Sequence, residues 1–285
     1  MSYQNLSVVI PTVGYSGLVK SLESYRKFAP GAQVIVVDQT KRGALDQKQI
    51  VELTDVYVKV FRALGFAKAM NLGIDIADRE YIMCTNDDVE LIHIKWFEGI
   101  LSWFARDPKI VGVNPGSIKG YGNEPDAIPI DQVCTDADYE YLCSPHEFPG
   151  NPINPIHPNA AIDGIMIWGT VFSRVGLEKI KNNGCYFDEH FAYGGGEDYD
   201  LCCRIYEKGL RIIGVFNSWA LHRWFGSAAA GDYNAFARKN DNAPDIIAGL
   251  RWNNNNEKWG NQFDIYGRKG EARLLPEPPC IKRSL

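Results

Sequence analysis

Apolar positions along the first hundred residues follow two alternating rhythms. Continuous β-branched runs, "LSVVIPT" from Leu6 to Thr12 and "QVIVVDQT" from Gln33 to Thr40, predict strands buried on both faces. Between them Leu18, Leu22 and Tyr25 recur at helical spacing, and Pro30 with Gly31 stops that helix. "VYVKVF" continues the strand pattern, and Phe66, Met70, Ile74 and Ala77 make a second helical stripe. The strand "EYIMCTNDD" follows, then a third helix marked by Ile94, Phe97, Leu101 and Phe104. Strands alternating with helices predict an open, mostly parallel α/β sheet.

In such sheets ligands bind beyond the carboxyl ends of the strands. Pro11 with Thr12, Asp38, and Asp87 with Asp88 all stand at predicted strand ends, so they converge on one crevice. The periodicity then lapses. Residues 119–160 are rich in proline, glycine and aromatics, which predicts an ordered excursion beside a site. Regular structure returns with "AIDGIMIWGTVFS", a strand-like run interrupted by Gly164 and Gly169. Beyond residue 228 the chain is polar, with "NNNN" between Trp252 and Trp259.

Composition narrows the function classes. The 285 residues are 45% hydrophobic and 23% charged, an ordinary globular make-up, and the formal charge of -5 argues against a general nucleic-acid binder. No apolar run approaches the ~18 residues of a membrane span, and no signal peptide is evident, so a cytoplasmic setting is expected. Seven cysteines without a C-x-x-C pair read as reduced thiols, with Cys202 and Cys203 as small packing residues.

Two acidic clusters carry the candidate chemistry. In "CTNDDVEL" Asp87 and Asp88 are adjacent and Glu90 follows. Two like charges ~4 Å apart repel by ~4 kcal/mol near a protein surface, so a bound cation is the simplest offset. In "GGGEDYDL" three glycines precede Glu197, Asp198 and Asp200 at the start of a helix that Gly209 ends. Such acids also cap a helix and favour its dipole, a role best suited to Asp200. One of the others is a candidate general base for an alcohol. His222, at the end of a later strand, becomes a candidate third ligand, since imidazole with carboxylate suits Mn²⁺ or a similar ion.

These residues carry a resemblance. From about Leu6 to Ser227 the chain resembles family 2 glycosyltransferases of the GT-A fold. The matching pieces are "SVVIPT", "VIVVDQT", "GFAKAMNLGIDIADREYIMCTNDDVEL", "FDEHFAYGGGEDYDLCCRIYEKGLRI" and "HRWFGS", in that order. The resemblance implies a Rossmann-like, mostly parallel sheet over residues 1–227. Residues 1–115 would bind the nucleotide sugar, 116–227 would serve the acceptor and catalysis, and 228–285 would form an extension.

By position, it puts Pro11, Thr12 and Asp38 at the nucleotide and its base. Lys68 and Asn71 fall near the ribose and diphosphate. Asp88, Asp87 and His222 fall at Mn²⁺ or Mg²⁺, with Asp87 on the ribose or the metal's water shell. Asp198 becomes the base of an inverting displacement, with Glu197 beside it. Trp168, Tyr193 and Trp224 are candidates to stack on acceptor sugar rings. Two departures stand out: the acids are "DD" rather than a spaced D-x-D, and the second strand ends "DQT" where the family often has a second acid and a glycine.

The implied partners are a nucleoside-diphosphate sugar and a glycan or glycoconjugate acceptor, in polysaccharide or glycoconjugate assembly. No nucleic acid is expected; peripheral membrane association stays open. The rivals are a sugar nucleotidyltransferase, and a non-catalytic carbohydrate- or nucleotide-binding protein on the same fold. The first would need a basic glycine-rich loop after the first strand, and "PTVGYSGLVK" has two glycines and one lysine.

Overall fold

The computed structural model describes residues 3–14, 17–40, 47–60, 64–119, 135–143, 161–163, 167–189 and 197–223. After a 3₁₀ turn at Tyr3–Asn5 the elements run β1 (Leu6–Thr12), α1 (Leu18–Phe28), β2 (Gln33–Asp38), α2 (Gln47–Glu52), β3 (Val56–Lys59), α3 (Phe66–Ile76), β4 (Tyr81–Cys84) and β5 (Val89–Leu91). They continue with α4 (Trp96–Phe104), β6 (Ile110–Lys119), α5 (Asp136–Leu142), β7 (Ala161–Asp163), β8 (Thr170–Ser173), α6 (Arg174–Ile180), α7 (Glu197–Glu207) and β9 (Arg211–His222). No described helix is long and apolar enough to cross a membrane.

One sheet runs in the order β3-β2-β1-β4-β8-β6-β9-β5, with β7 also paired to β9. The first half is parallel, as the alternating pattern predicts. The second half departs from it. There β8 is antiparallel to β4 and β6, β5 and β7 are antiparallel to β9, and β6 with β9 alone is parallel.

Helices cover both faces, and the strands alternate between them. Val8 and Ile10 join Leu18, Leu22, Tyr25, Trp96 and Ile100 on one side. Val9 joins Met70, Ile74, Leu177, Leu201 and Ile205 on the other. This period of two explains the unbroken apolar runs: each residue is buried, on alternate faces. At Gly73 a Cβ would stand 2.2 Å from Val9 Cγ1, so only glycine lets α3 lie this close to β1.

Helix α4, the third that the apolar spacing predicts, is turned from its expected face. Its buried residues are Trp96, Phe97, Ile100 and Trp103, while Ile94 precedes the helix and is exposed. Both tryptophans reach partners as they bury: Trp96 Nε1 donates to the Phe28 carbonyl and Trp103 Nε1 to Asn217 Oδ1. A ring that buries both area and a satisfied N–H outcompetes a smaller aliphatic for the core. Cys84, Cys143, Cys185, Cys202 and Cys203 form no disulfide, and Cys202 and Cys203 are buried as packing residues.

Candidate active site

The parallel strands end at one level. Thr12 lies opposite Asp38 in the β1–β2 register, and the Thr85 amide donates to the Val9 carbonyl as β4 ends. The segment from Thr85 to Leu91 follows, and three acids lie within it.

Each acid has a protein partner. Thr12 Oγ1 donates to Asp87 Oδ2 at 2.7 Å across a buried gap. His222 Nε2 lies 3.3 Å from Asp88 Oδ1. Arg223 Nε donates to Glu90 Oε1 at 3.0 Å. Part of the repulsion among these acids is therefore offset by the fold itself. Glu90, the third acid of the motif, is held by an arginine rather than turned to its neighbours.

Helix α1 grips the acidic segment. Ser21 Oγ donates to the Asp87 carbonyl at 2.9 Å, Tyr25 Oη to the Val89 carbonyl at 3.1 Å, and Ser24 Oγ accepts from the Leu91 amide at 2.9 Å. Sequence reasoning found Tyr25 as an apolar stripe residue and passed over Ser21 and Ser24. The available signal was two small hydroxyl residues on the same face as Leu18, Leu22 and Tyr25, where the partner must be backbone. Burial, with the nearby Glu90 and Asp88 charges, raises the Tyr25 phenol so that it stays protonated as a donor.

His222 arrives by strand pairing. In the antiparallel β5–β9 ladder it lies opposite Val89, and the Arg223 amide donates to the Asp88 carbonyl just beyond the ladder. Among the described residues no group of three His, Cys, Asp or Glu side chains forms a metal cage. Asp88 and His222 supply two buried donors, while Asp87 is turned to Thr12. One carboxylate and one imidazole suit Mn²⁺ by donor chemistry, and an ion bound through few protein ligands is completed by substrate phosphates.

Asp38 is fully buried, and its carboxylate is already engaged. It accepts from the Thr40 amide at 2.6 Å, from Tyr57 Oη, and from Lys59 Nζ at 2.9 Å. Burial alone would raise its pKa, but the bonds from Tyr57, Thr40 and Lys59 outweigh it and hold the carboxyl below its ordinary value. Gln39 of the divergent "DQT" is engaged as well. Its Oε1 accepts from the Leu64 and Gly65 amides and so ties β2 to the start of α3.

Asn71, expected near the ribose and diphosphate, makes its bonds to the segment around Phe187. Its Oδ1 accepts from the Phe187 amide at 2.8 Å, and its Nδ2 donates to the Phe187 carbonyl at 2.9 Å and to Glu189 Oε1 at 3.1 Å. Both ends of the amide are thus closed on the chain that leads to α7. Lys68, one turn earlier, is half-exposed 3.9 Å from Glu189.

In α7 the three first-turn acids separate by environment. Asp200 is buried against Arg204 at 2.8 Å, and Arg204 also donates to the carbonyls of Ile180 and Tyr186. Asp200 thus stands in a buried ion pair within α7, and Arg204 ties that pair to the end of α6 and to Tyr186. Glu197 is buried and Asp198 is half-exposed. Trp168 is only 8% exposed and its ring stacks on His222, which leaves little surface for a sugar. Tyr193, Trp224 and the segment 228–285 lie outside the described residues.

Solved structures share this architecture. The chain matches GalNAc-T7 with UDP, GalNAc and Mn²⁺ at TM-score 0.54 and 16% identity, over 82% of this chain and 47% of that one. It thus spans about half of GalNAc-T7. It matches the mannosyltransferase PcManGT from Pyrobaculum calidifontis, in complex with GDP-Man and Mn²⁺, at 0.52 and 17%, over 88% of this chain and 69% of that one. S. aureus TarS 1-349 matches at 0.51 and 14%, over 95% and 76%. No curated protein sequence matches the chain. The fold is therefore that of the GT-A glycosyltransferases. The sequence pattern of "Glycosyl transferase family 2" matches residues 7–152, a little over half the chain, and the chain belongs to that family.

Proposed function

We propose that the chain is an inverting glycosyltransferase that moves a hexosyl or deoxyhexosyl group from a nucleoside-diphosphate sugar to an acceptor hydroxyl. The observation that carries this reading is the meeting of Asp88 with His222 at 3.3 Å, beside the Thr12–Asp87 bond. Donors from remote strands converge there at the carboxyl end of the sheet, in a family whose reaction is glycosyl transfer.

Asp88 and His222 would hold Mn²⁺ or Mg²⁺, and Asp87, which accepts from Thr12 through Oδ2, would contact the ribose or the ion's water shell. When bound, the ion neutralises charge on the departing diphosphate. Pro11, Thr12 and Asp38 would line the nucleotide pocket, with Lys59 paired to Asp38 at 2.9 Å. Lys68 would stand near the phosphates. Asp198, half-exposed at the start of α7, would take the proton from the acceptor hydroxyl as that oxygen attacks the anomeric carbon. The buried Glu197 beside it would support Asp198 or contact the acceptor.

Mn²⁺ with UDP or GDP-Man in two structural neighbours supports a divalent ion and a nucleotide donor. Free thiols among the described cysteines support a cytoplasmic setting. We assign residues 1–227 to catalysis and 228–285 to an extension, with the acceptor a growing polysaccharide or glycoconjugate.

The test is a thermal-shift panel of UDP, GDP and dTDP with Mn²⁺, followed by hydrolysis of the matching donors. A stabilising nucleotide and slow release of free sugar with nucleoside diphosphate are expected. Pyrophosphate chemistry, or neither binding nor turnover, overturns the reading.

A further inference from the structure

We propose that Trp168 is a positioning residue for His222: its indole fixes the imidazole plane so that Nε2 stays directed at Asp88 and at the divalent ion. The inference rests on the metal reading above and goes beyond it, because it gives the metal site a support outside its ligands.

The two rings stack with centroids 4.9 Å apart and planes 23° from parallel. Both residues are buried. They come from different parts of the chain: His222 is the last residue of β9, and Trp168 stands two residues before β8. The backbone of Trp168 is itself held, because Asn114 Nδ2 on β6 donates to its carbonyl and to Thr170 Oγ1. Gly169 follows at φ +67, which turns the chain into β8 at a position unsuited to other residues.

The physical need is specific. The last torsion of a histidine side chain is broad, so a contact at a ring nitrogen does not by itself fix the ring plane. A flat surface along one face removes that freedom. The indole face is also negative, so it favours an imidazole that gains positive character when it binds a cation. A sugar could not use the same face.

The test compares Trp168→Phe and Trp168→Leu with wild type. Mn²⁺ affinity is read by electron paramagnetic resonance of free Mn²⁺, with whichever of UDP, GDP or dTDP stabilises wild type most. Supports around metal ligands typically contribute 10- to 100-fold in affinity. The Leu variant should therefore bind Mn²⁺ about tenfold more weakly, while Phe, which keeps a ring, stays within about twofold. A role in packing alone lowers melting temperature but leaves the Mn²⁺ affinity of both folded variants unchanged, and that result overturns the inference. So does a Phe variant as weak as the Leu variant.

If Trp168→Leu does not fold, wild type still decides. Nucleotide-bound Mn²⁺ should broaden the Trp168 indole N–H in NMR before those of Trp96, Trp103 and Trp219. The signal is assigned by its absence from Trp168→Phe. A sharp Trp168 signal at saturating Mn²⁺ overturns the inference. Failure of wild type to bind Mn²⁺ with any of the three nucleotides overturns the metal reading itself, which separates the two failures.

Discussion

Asp88 and His222 lie 3.3 Å apart although strand pairing does not set them opposite each other: the ladder partner of His222 is Val89. The contact forms just past the end of the β5–β9 ladder, where the Arg223 amide reaches back to the Asp88 carbonyl. The backbone of one strand end thus delivers the side chain of the other.

A metal dependence follows from that pair. Chelator should abolish turnover, and Mn²⁺ or Mg²⁺ should restore it. Asp88→Ala should lose metal-dependent nucleotide binding by calorimetry, while binding of the nucleoside alone changes little. Full activity in chelator would remove the metal role from Asp88 and His222.

Asp198 should matter to rate more than to binding. Asp198→Asn keeps the shape but cannot accept a proton, so kcat should fall by about 10²–10⁴-fold with little change in donor Kd. Glu197→Gln is the companion: if it alone is inactive, the base moves by one residue. NMR of the product should show inverted anomeric configuration, and retention would exclude a single displacement with Asp198 as base.

Asn71 offers a test of its bond to Phe187. Asn71→Ala leaves the buried amide and carbonyl of Phe187 without their partners, and each lost bond costs about 1–3 kcal/mol. Urea unfolding should show a loss within that range or above. A variant as stable as wild type would mean that the segment around Phe187 is held by other contacts.

The buried Asp200–Arg204 pair should be a stability element. Asp200→Asn strands most of a buried positive charge, and breaking such pairs costs about 3–5 kcal/mol. Folded protein that survives the change should keep its nucleotide affinity. If stability holds and turnover disappears, Asp200 belongs to the chemistry.

Asp38 gives an acid limb to stability. Its folded pKa lies below the ordinary 3.8, so its contribution is present above that value and is lost as pH falls through the depressed folded value. Asp38→Asn should flatten this part of the stability–pH curve of the nucleotide-free protein. An unchanged curve would show that Tyr57 and Lys59 do not favour the charged form.

How much of this was written in the sequence depends on distance along the chain. The strands of the first half, the helix stops at Gly31 and Gly209, and the acid clusters are local patterns. Val8, Val9 and Ile10 report burial on both faces whatever they pack against. Apolar periodicity also marked three of the helices, but not which way the third would turn, because that depended on where Trp96 and Trp103 found acceptors.

Partners were beyond its reach. Nothing local to Asn71 says that its amide will close on Phe187, and nothing local to Glu90 says that Arg223 will hold it. Trp168 reads as a sugar-stacking ring until β8 and β9 bring it against His222. A residue's type limits which bonds it can make, and so the sequence by itself determined the parallel first half of the sheet and the identities of the candidate groups. Which group meets which was decided by the tertiary structure alone, because strand order and register set distances that spacing along the chain does not encode.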